Sequence, residues 1–173
     1  MSGAFHSSKL TVPTILIVGA ALLIALQTRA EDTDTSAAAG PLDGMVFEGL
    51  IGPTENPDLN DRLYFQDGKF WSSECIRCGF EPGAYWVRRV NGGIAFRGTL
   101  QSPDRGRFRY EGFVRDGEIE VSIDWRQERW YWTVDRQLRF EGQLVAGERP
   151  AMTLGNARAL ALRGNSGSGR CPS

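Results

Sequence analysis

The sequence predicts an all-β protein whose main domain is a single antiparallel up-and-down barrel of about eight strands. Between Gly44 and Val145, apolar and polar side chains alternate with a period of two, which is typical of half-buried strands. Asn-Gly and Asp-Gly pairs interrupt this pattern at short intervals, as tight hairpins require. Four strands also repeat an aromatic residue and a glycine two positions apart. Glycine within a strand favours bending, and bent strands favour closure into a barrel.

The alternating pattern delimits eight candidate strands, with Trp130–Val134 as a candidate ninth. The eight are Met45–Ile51, Arg62–Gln66, Lys69–Glu74, Ala84–Val90, Ile94–Leu100, Arg107–Val114, Glu118–Trp125 and Gln137–Val145. Turn signals between them are Asp67-Gly68, Asn91-Gly92-Gly93 and Asp116-Gly117. The Asn91 turn is compatible with a two-residue or a three-residue loop, so the pattern leaves open whether Tyr85 or Trp86 points inward.

One hairpin has a predictable register. A two-residue loop at Asp116-Gly117 places opposite charges on one face and apolar groups on the other, as cross-strand pairing requires. The resulting pairs are Arg115 with Glu118, Arg109 with Asp124, Val114 with Ile119, Tyr110 with Ile123, and Phe108 with Trp125.

The predicted barrel interior is apolar, and its one titratable group is a Tyr phenol. Its predicted members are Ile94, Phe96, Leu100, Phe108, Tyr110, Ile119, Val121, Ile123, Leu138, Phe140 and Leu144. Perturbed ionisable groups mark buried catalytic sites. We therefore expect no catalytic residues and no enzymatic activity.

The N-terminus predicts export. Lys9 precedes an apolar stretch, Leu10–Leu26, and Thr28-Arg29-Ala30 supplies small residues for cleavage, so residues 1–30 are interpreted as a signal peptide. An uncleaved inner-membrane anchor facing the periplasm is the alternative, and it would be the only membrane contact. We expect a periplasmic or secreted protein with a flexible linker at 31–43, the barrel at 44–145 and a flexible, disordered C-terminal tail at 146–173.

Composition argues against binding of nucleic acid, metal ions or a cofactor. The chain has 20 basic and 21 acidic residues, and loss of residues 1–30 would leave a net charge of −3, so we expect no nucleic-acid binding. The single histidine, His6, lies in the export segment. With no other histidine and three cysteines, we expect no metal site and no cofactor.

Cys75 and Cys78 are predicted to be structural thiols. Haem attachment requires His after the second Cys, where Gly79 stands. A redox pair normally begins a helix, and the pattern predicts a loop here. In an exported protein the remaining interpretation is a structural disulfide, either Cys75–Cys78 or one of the two cysteines with Cys171.

A second cluster runs from Trp125 to Trp132 and holds three of the five tryptophans. It predicts an aromatic platform at a barrel mouth for a flat, sugar-like or peptide ligand. Alternatively, these residues plug one end of the barrel. The candidate ligand-binding residues are Trp86, Trp125, Arg126, Arg129, Trp130 and Trp132.

The segments Phe70–Cys75, Tyr85–Arg89 and Glu128–Trp132 resemble a family of small exported bacterial proteins of unknown function. The strand count is loosely similar to calycin barrels, the lipocalin and avidin class, although Phe47-Glu48-Gly49 replaces the lipocalin Gly-x-Trp. We expect a non-enzymatic binding module for a small apolar or aromatic ligand, or a partner in the envelope. The alternatives are a plugged-barrel interaction protein and a thiol-disulfide redox protein.

Overall fold

The computed structural model describes residues 40–145 and 151–164. Eight antiparallel strands follow one another in chain order and close into one barrel, which confirms the predicted fold class and is consistent with a calycin-like fold. The predicted signal segment, residues 31–39 of the linker and the last nine residues lie outside the described part.

Most strands begin and end within three residues of the predicted positions, but the seventh strand ends four residues later and the eighth begins five residues earlier than predicted. They are β1 (Val46–Pro53), β2 (Leu59–Gln66), β3 (Lys69–Ser72), β4 (Gly83–Val90), β5 (Gly93–Ser102), β6 (Gly106–Arg115), β7 (Glu118–Arg129) and β8 (Trp132–Leu144). Two short helices accompany them, α1 (Ser73–Arg77) and α2 (Leu154–Gly164). The candidate ninth strand is not separate, because Trp132–Val134 belong to β8.

The structure confirms the predicted hairpin register and defines the one that was left open. The Asp116-Gly117 hairpin has all five predicted pairs. In the Asn91 hairpin, Val90 pairs with Gly93, so the loop has two residues. This register turns Tyr85 into the core and leaves Trp86 on the outer face.

Two glycines of the repeated aromatic-glycine pattern, Gly98 and Gly112, lie where interior rings leave no room for a side chain. A Cβ at Gly98 would lie 2.3 Å from the ring of Phe70, and one at Gly112 would lie 2.2 Å from the ring of Phe96. Gly112 lies directly opposite Phe96 across the β5–β6 pair. The glycines therefore allow the large rings of Phe70 and Phe96 to pack directly against the backbone of a strand.

Aromatic rings fill the barrel interior. Successive centroids are 5.0 to 6.4 Å apart along a column of Phe47, Phe65, Phe70, Tyr110, Phe108 and Trp125. Nine of the eleven predicted interior residues are buried. Ile94 is partly buried against the core. The predicted burial of Leu144 is wrong, because this residue lies at the end of β8 and is 39% exposed.

The barrel is plugged at the end where the chain enters, which we call the entry end. Leu42 is fully buried in the core, Tyr85 donates its hydroxyl to Asp43 Oδ1 at 2.7 Å, and Gly68 N also donates to that carboxylate. The predicted linker boundary is therefore wrong for residues 40–43. These residues belong to the domain because Leu42 supplies apolar area that the core buries.

Helix α1 covers the opposite end, which we call the tip end, and it was missed by the sequence analysis. Ser72 is its N-cap and accepts a hydrogen bond from Cys75 N at 3.0 Å. Asp61 of β2 lies behind this cap, where it accepts hydrogen bonds from Ser72 Oγ at 2.6 Å and Ser73 Oγ at 2.7 Å. The prediction of a loop without a helix is therefore wrong, because a side chain distant in sequence completes the cap.

Helix α2 packs on the outside of the barrel. Its small residues Ala157 and Ala161 are buried against Val46, Tyr64, Trp71 and Ile76. Tyr64 and Trp71 stack with centroids 5.4 Å apart and form the surface beneath it. The predicted flexible tail is therefore wrong for residues 154–164.

Candidate binding site

The longest hairpin of the barrel projects beyond its neighbours. Strands β7 and β8 pair as far as Arg129 with Trp132, whereas the pairing of β6 with β7 ends at Arg107 with Arg126. Three residue pairs therefore extend past the barrel wall, or roughly 10 Å at the rise of a strand. Trp130 and Tyr131 form the two-residue turn.

Three aromatic side chains stand at the end of this hairpin. Trp130 is 94% exposed, Tyr131 67% and Trp132 37%. Their rings contact each other edge to face, with centroids 4.8 Å and 6.1 Å apart and interplanar angles of 73° and 69°. We call these three residues the aromatic tip. Tyr131 was not among the predicted site residues, although its position between two tryptophans was a signal for it.

Trp125 and Arg129 connect the hairpin to the β5–β6 loop and are not part of the aromatic tip. Trp125 closes the ring column against Phe108 and donates its indole N–H to Arg105 O at 2.9 Å. Arg129 Nη2 donates to Asp104 O, and so does Gln127 Nε2. These three side chains alternate along β7 and hold the β5–β6 loop against the hairpin. Trp125 thus packs against the core at this end of the barrel, whereas Arg129 stays exposed on the projecting hairpin.

Arg126 points to the outer face of the hairpin. Its Nε lies 2.6 Å from Glu128 Oε1 and its Nη1 lies 3.9 Å from Asp135 Oδ2. Because two carboxylates surround this guanidinium, its charge is locally compensated. Surface pairs of this kind contribute little to folding stability.

An open groove runs along the outer wall beside the hairpin. It has a volume of about 420 Å³ and is lined by Glu81, Gln101, Ser102, Pro103, Gly106, Arg107, Arg126 and Glu128. It contains two arginines and two glutamates, of which Arg126 and Glu128 form an ion pair. Charged and polar residues make up most of this lining, whereas sites for apolar or aromatic ligands are lined mainly by hydrophobic and aromatic side chains.

Trp86 is not part of this region. It is 36% exposed on the outer face of β4, where it pairs with Arg97 of β5. Strands β5 and β6 separate β4 from the hairpin in the barrel order. The structure therefore brings five of the six predicted ligand-binding residues onto one hairpin and leaves Trp86 elsewhere.

A second cluster of polar groups lies inside the barrel beneath α1. Cys75 Sγ is 3.3 Å from Tyr110 Oη, and both side chains are fully buried. Burial raises the pKa of the Cys75 thiol to about 12, and burial likewise raises the pKa of the Tyr110 phenol. Burial also raises the pKa of Asp61, although four hydrogen bonds to its carboxylate oppose this effect. The prediction that Tyr would be the only titratable interior group is therefore wrong.

The cysteines do not form the predicted short bond. Cys75 is a free thiol, whereas Cys78 is disulfide-bonded. The prediction of a Cys75–Cys78 disulfide is therefore wrong, because helix α1 directs the Cys75 side chain into the core. The other expectation, a bond to Cys171, involves a residue outside the described part and stays a prediction.

Two further observations concern residues 40–145 and 151–164. No group of three or more His, Cys, Asp or Glu side chains within them is arranged to hold a metal ion. Neither helix in this part has the length and apolarity needed to span a membrane.

Comparison with known proteins found no matching protein family, no matching curated protein and no matching solved structure. Membership of the group of exported bacterial proteins that the sequence resembles therefore stays a prediction.

Proposed function

We propose that this protein is an exported, non-enzymatic binding module that contacts its partner through the aromatic tip. The observation that carries the proposal is the contrast in exposure: Trp130 is 94% exposed at the end of a projecting hairpin, on a barrel whose interior is filled by rings. Exposed contiguous aromatic residues are typical of interaction sites. The packed interior favours a partner outside the barrel over the small ligand inside it that calycin barrels hold.

The tip has the properties that an interaction site requires. Its rings are held by a paired hairpin, and Gln127 and Arg129 tie that hairpin to the β5–β6 loop. A supported site loses less conformational entropy on binding than a free loop. Trp and Tyr also combine large apolar area with a polar N–H or O–H group, which suits contact with a partly hydrated partner.

The redox alternative has less support. A reactive thiol must be exposed and must ionise near neutral pH. Cys75 is fully buried, and burial raises its pKa to about 12.

Residue-resolved oxidation tests the proposal. Hydroxyl-radical oxidation of Trp130 and Tyr131 is measured by mass spectrometry, first in the purified full chain and then in an envelope extract of cells that make it. We expect the extract to protect both residues and to leave Trp86, a matched exposed tryptophan on β4, unchanged. Equal oxidation of the tip in both samples would refute the proposal.

A further inference from the structure

We infer that the partner of the aromatic tip is the headgroup region of an anionic lipid bilayer. This inference rests on the proposed function, since it names the surface that the tip contacts. It adds a second route to a membrane, independent of the N-terminal segment predicted from the sequence. Three features of the hairpin lead to it: the shape of the tip, its narrow width and the charge behind it.

The shape of the tip excludes a flat platform. A flat platform requires rings that are close to coplanar, but the three rings lie at 73° and 69° to their neighbours. Together they form a wedge at the end of a two-residue turn. Trp and Tyr rings are enriched at the boundary between lipid headgroups and acyl chains, where the ring meets lipid and its N–H or O–H group meets water.

The width of the hairpin disfavours a protein partner. Stable protein interfaces commonly involve 20 to 30 residues on each side, or about 800 Å² per partner. Beyond the barrel wall only three residue pairs and the turn project. A bilayer needs no broad complementary surface, because it accepts a narrow apolar wedge between its headgroups.

Positive charge lies behind the wedge. Arg129 is exposed and bonds to the main-chain carbonyl of Asp104, and it forms no ion pair within the described residues. Arg136 on β8 and Arg105 and Arg107 on the adjoining loop and strand have no ion-pair partner within the described residues. Asp104 and Glu81 are carboxylates beside the hairpin that form no arginine ion pair among the described residues, whereas Glu128 and Asp135 both face Arg126.

This charge complements anionic lipid. The chain as a whole carries a net charge of −1, whereas residues 103–107 and 126–136 hold five arginines against Asp104, Glu128 and Asp135. The excess of arginine is therefore local to the hairpin and the adjoining loop. Guanidinium groups bind phosphate oxygens in a bidentate manner, and their aliphatic stems lie well along apolar surface. The rings would insert at the headgroup boundary, and the arginines would contact the phosphates above it.

The experiment uses the full chain with vesicles of defined lipid. Oxidation of Trp130 is measured without vesicles, with phosphatidylcholine vesicles, and with vesicles containing 30% phosphatidylglycerol. We expect the anionic vesicles to slow oxidation of Trp130 at least threefold and to leave Trp86 unchanged. Because oxidation is measured at the tip residue itself, membrane binding by the N-terminal segment alone cannot produce the expected result.

A charge variant tests the role of the arginines. In Arg129→Gln/Arg136→Gln, the lipid concentration for half-protection of Trp130 should rise about tenfold or more, because each basic residue near an anionic surface contributes to binding. Arg88→Gln, which removes an exposed arginine on β4, should change it less than twofold. Equal shifts in both variants would contradict the assigned arginines.

The outcomes separate the inference from the proposed function. Equal oxidation of Trp130 with and without anionic vesicles would overturn the lipid inference. If the cell extract still protects the tip in that case, the binding function stands and its partner is of another class. If the extract gives no protection either, both proposals fail.

Discussion

The protein contains two sets of aromatic residues with opposite surroundings. In the ring column, Phe70 is fully buried and contacts Phe65 and Tyr110 with centroids 6.0 Å and 5.0 Å away. At the aromatic tip, Trp130 is 94% exposed and contacts Tyr131. The two sets have the same chemistry, but only the first is removed from water when the chain folds.

This difference separates stability from binding. Burial of apolar area is the main favourable contribution to folding, at about 25 cal/mol per Å². The ring column contributes in this way, whereas Trp130 buries almost nothing in the described structure. Substitutions at the tip should therefore change binding without changing folding, and substitutions in the column should do the reverse.

The largest expected effect comes from removing a ring of the column. Phe70→Ala should lower the free energy of unfolding by about 3–5 kcal/mol, because it leaves a cavity among rings that cannot collapse onto it. Denaturant unfolding followed by circular dichroism measures this change. Trp130→Ala is the matched control and should stay within about 0.5 kcal/mol of the wild type. A large loss in Trp130→Ala would show that the tip is part of the folding core.

A smaller effect is expected from adding a methyl group beside the column. Gly112→Ala places a Cβ 2.2 Å from the Phe96 ring, which is itself packed against Phe65. Overpacking of this kind costs about 1–3 kcal/mol, measurable as a lower denaturation midpoint. Gly155→Ala is the control, since its Cβ meets nothing nearer than 4.0 Å in helix α2 and alanine favours helices. A Gly112→Ala variant as stable as Gly155→Ala would contradict the close approach.

The smallest effect concerns pH and the buried carboxyl beneath α1. Burial raises the pKa of Asp61 above its ordinary 3.8, so the folded state holds the proton more tightly than the unfolded chain. The contribution of this group to stability is therefore full below pH 3.8 and is lost as pH rises through the folded-state pKa. Burial also raises the pKa of Glu74, so Glu74 adds to the same slope.

Denaturation midpoints measured between pH 3 and pH 7 test this. Asp61→Asn removes the titrating group and keeps an acceptor for the Glu74 and Arg62 amides. In Asp61→Asn, the folding stability should decrease less steeply as the pH rises. In Glu74→Gln, only part of this pH-dependent decrease should be lost. An unchanged slope in Asp61→Asn would show that Asp61 is not its origin.

Patterns among residues close in sequence predicted the strands and much of the hairpin that carries the site. The Asp116-Gly117 register followed from charge and apolar pairing between adjacent strands, and all five pairs are confirmed. The aromatic-glycine pattern predicted close approach, and Gly112 lies beneath the Phe96 ring. The Trp125–Trp132 cluster was found because its residues are adjacent in sequence.

Features that depend on distant residues could not be predicted. Helix α1 has five residues, too few for a periodic pattern, and its cap is completed by Asp61 of β2. Helix α2 buries only two alanines, so its sequence has no clear apolar face until Trp71 and Tyr64 form the surface beneath it. The different roles of Trp125 and Trp130 depend on the β5–β6 loop, because its Arg105 carbonyl accepts a hydrogen bond from the Trp125 indole N–H.

The plug at Gly40–Met45 and the aromatic tip lie at opposite ends of the barrel. Strand β7 runs between these ends and has 12 residues, which corresponds to a length of roughly 40 Å, or about 30 Å along the barrel axis after strand tilt. A filled barrel does not shorten or bend easily, so it acts as a stiff spacer. The entry end of the described barrel and the aromatic tip are therefore held about 30 Å apart.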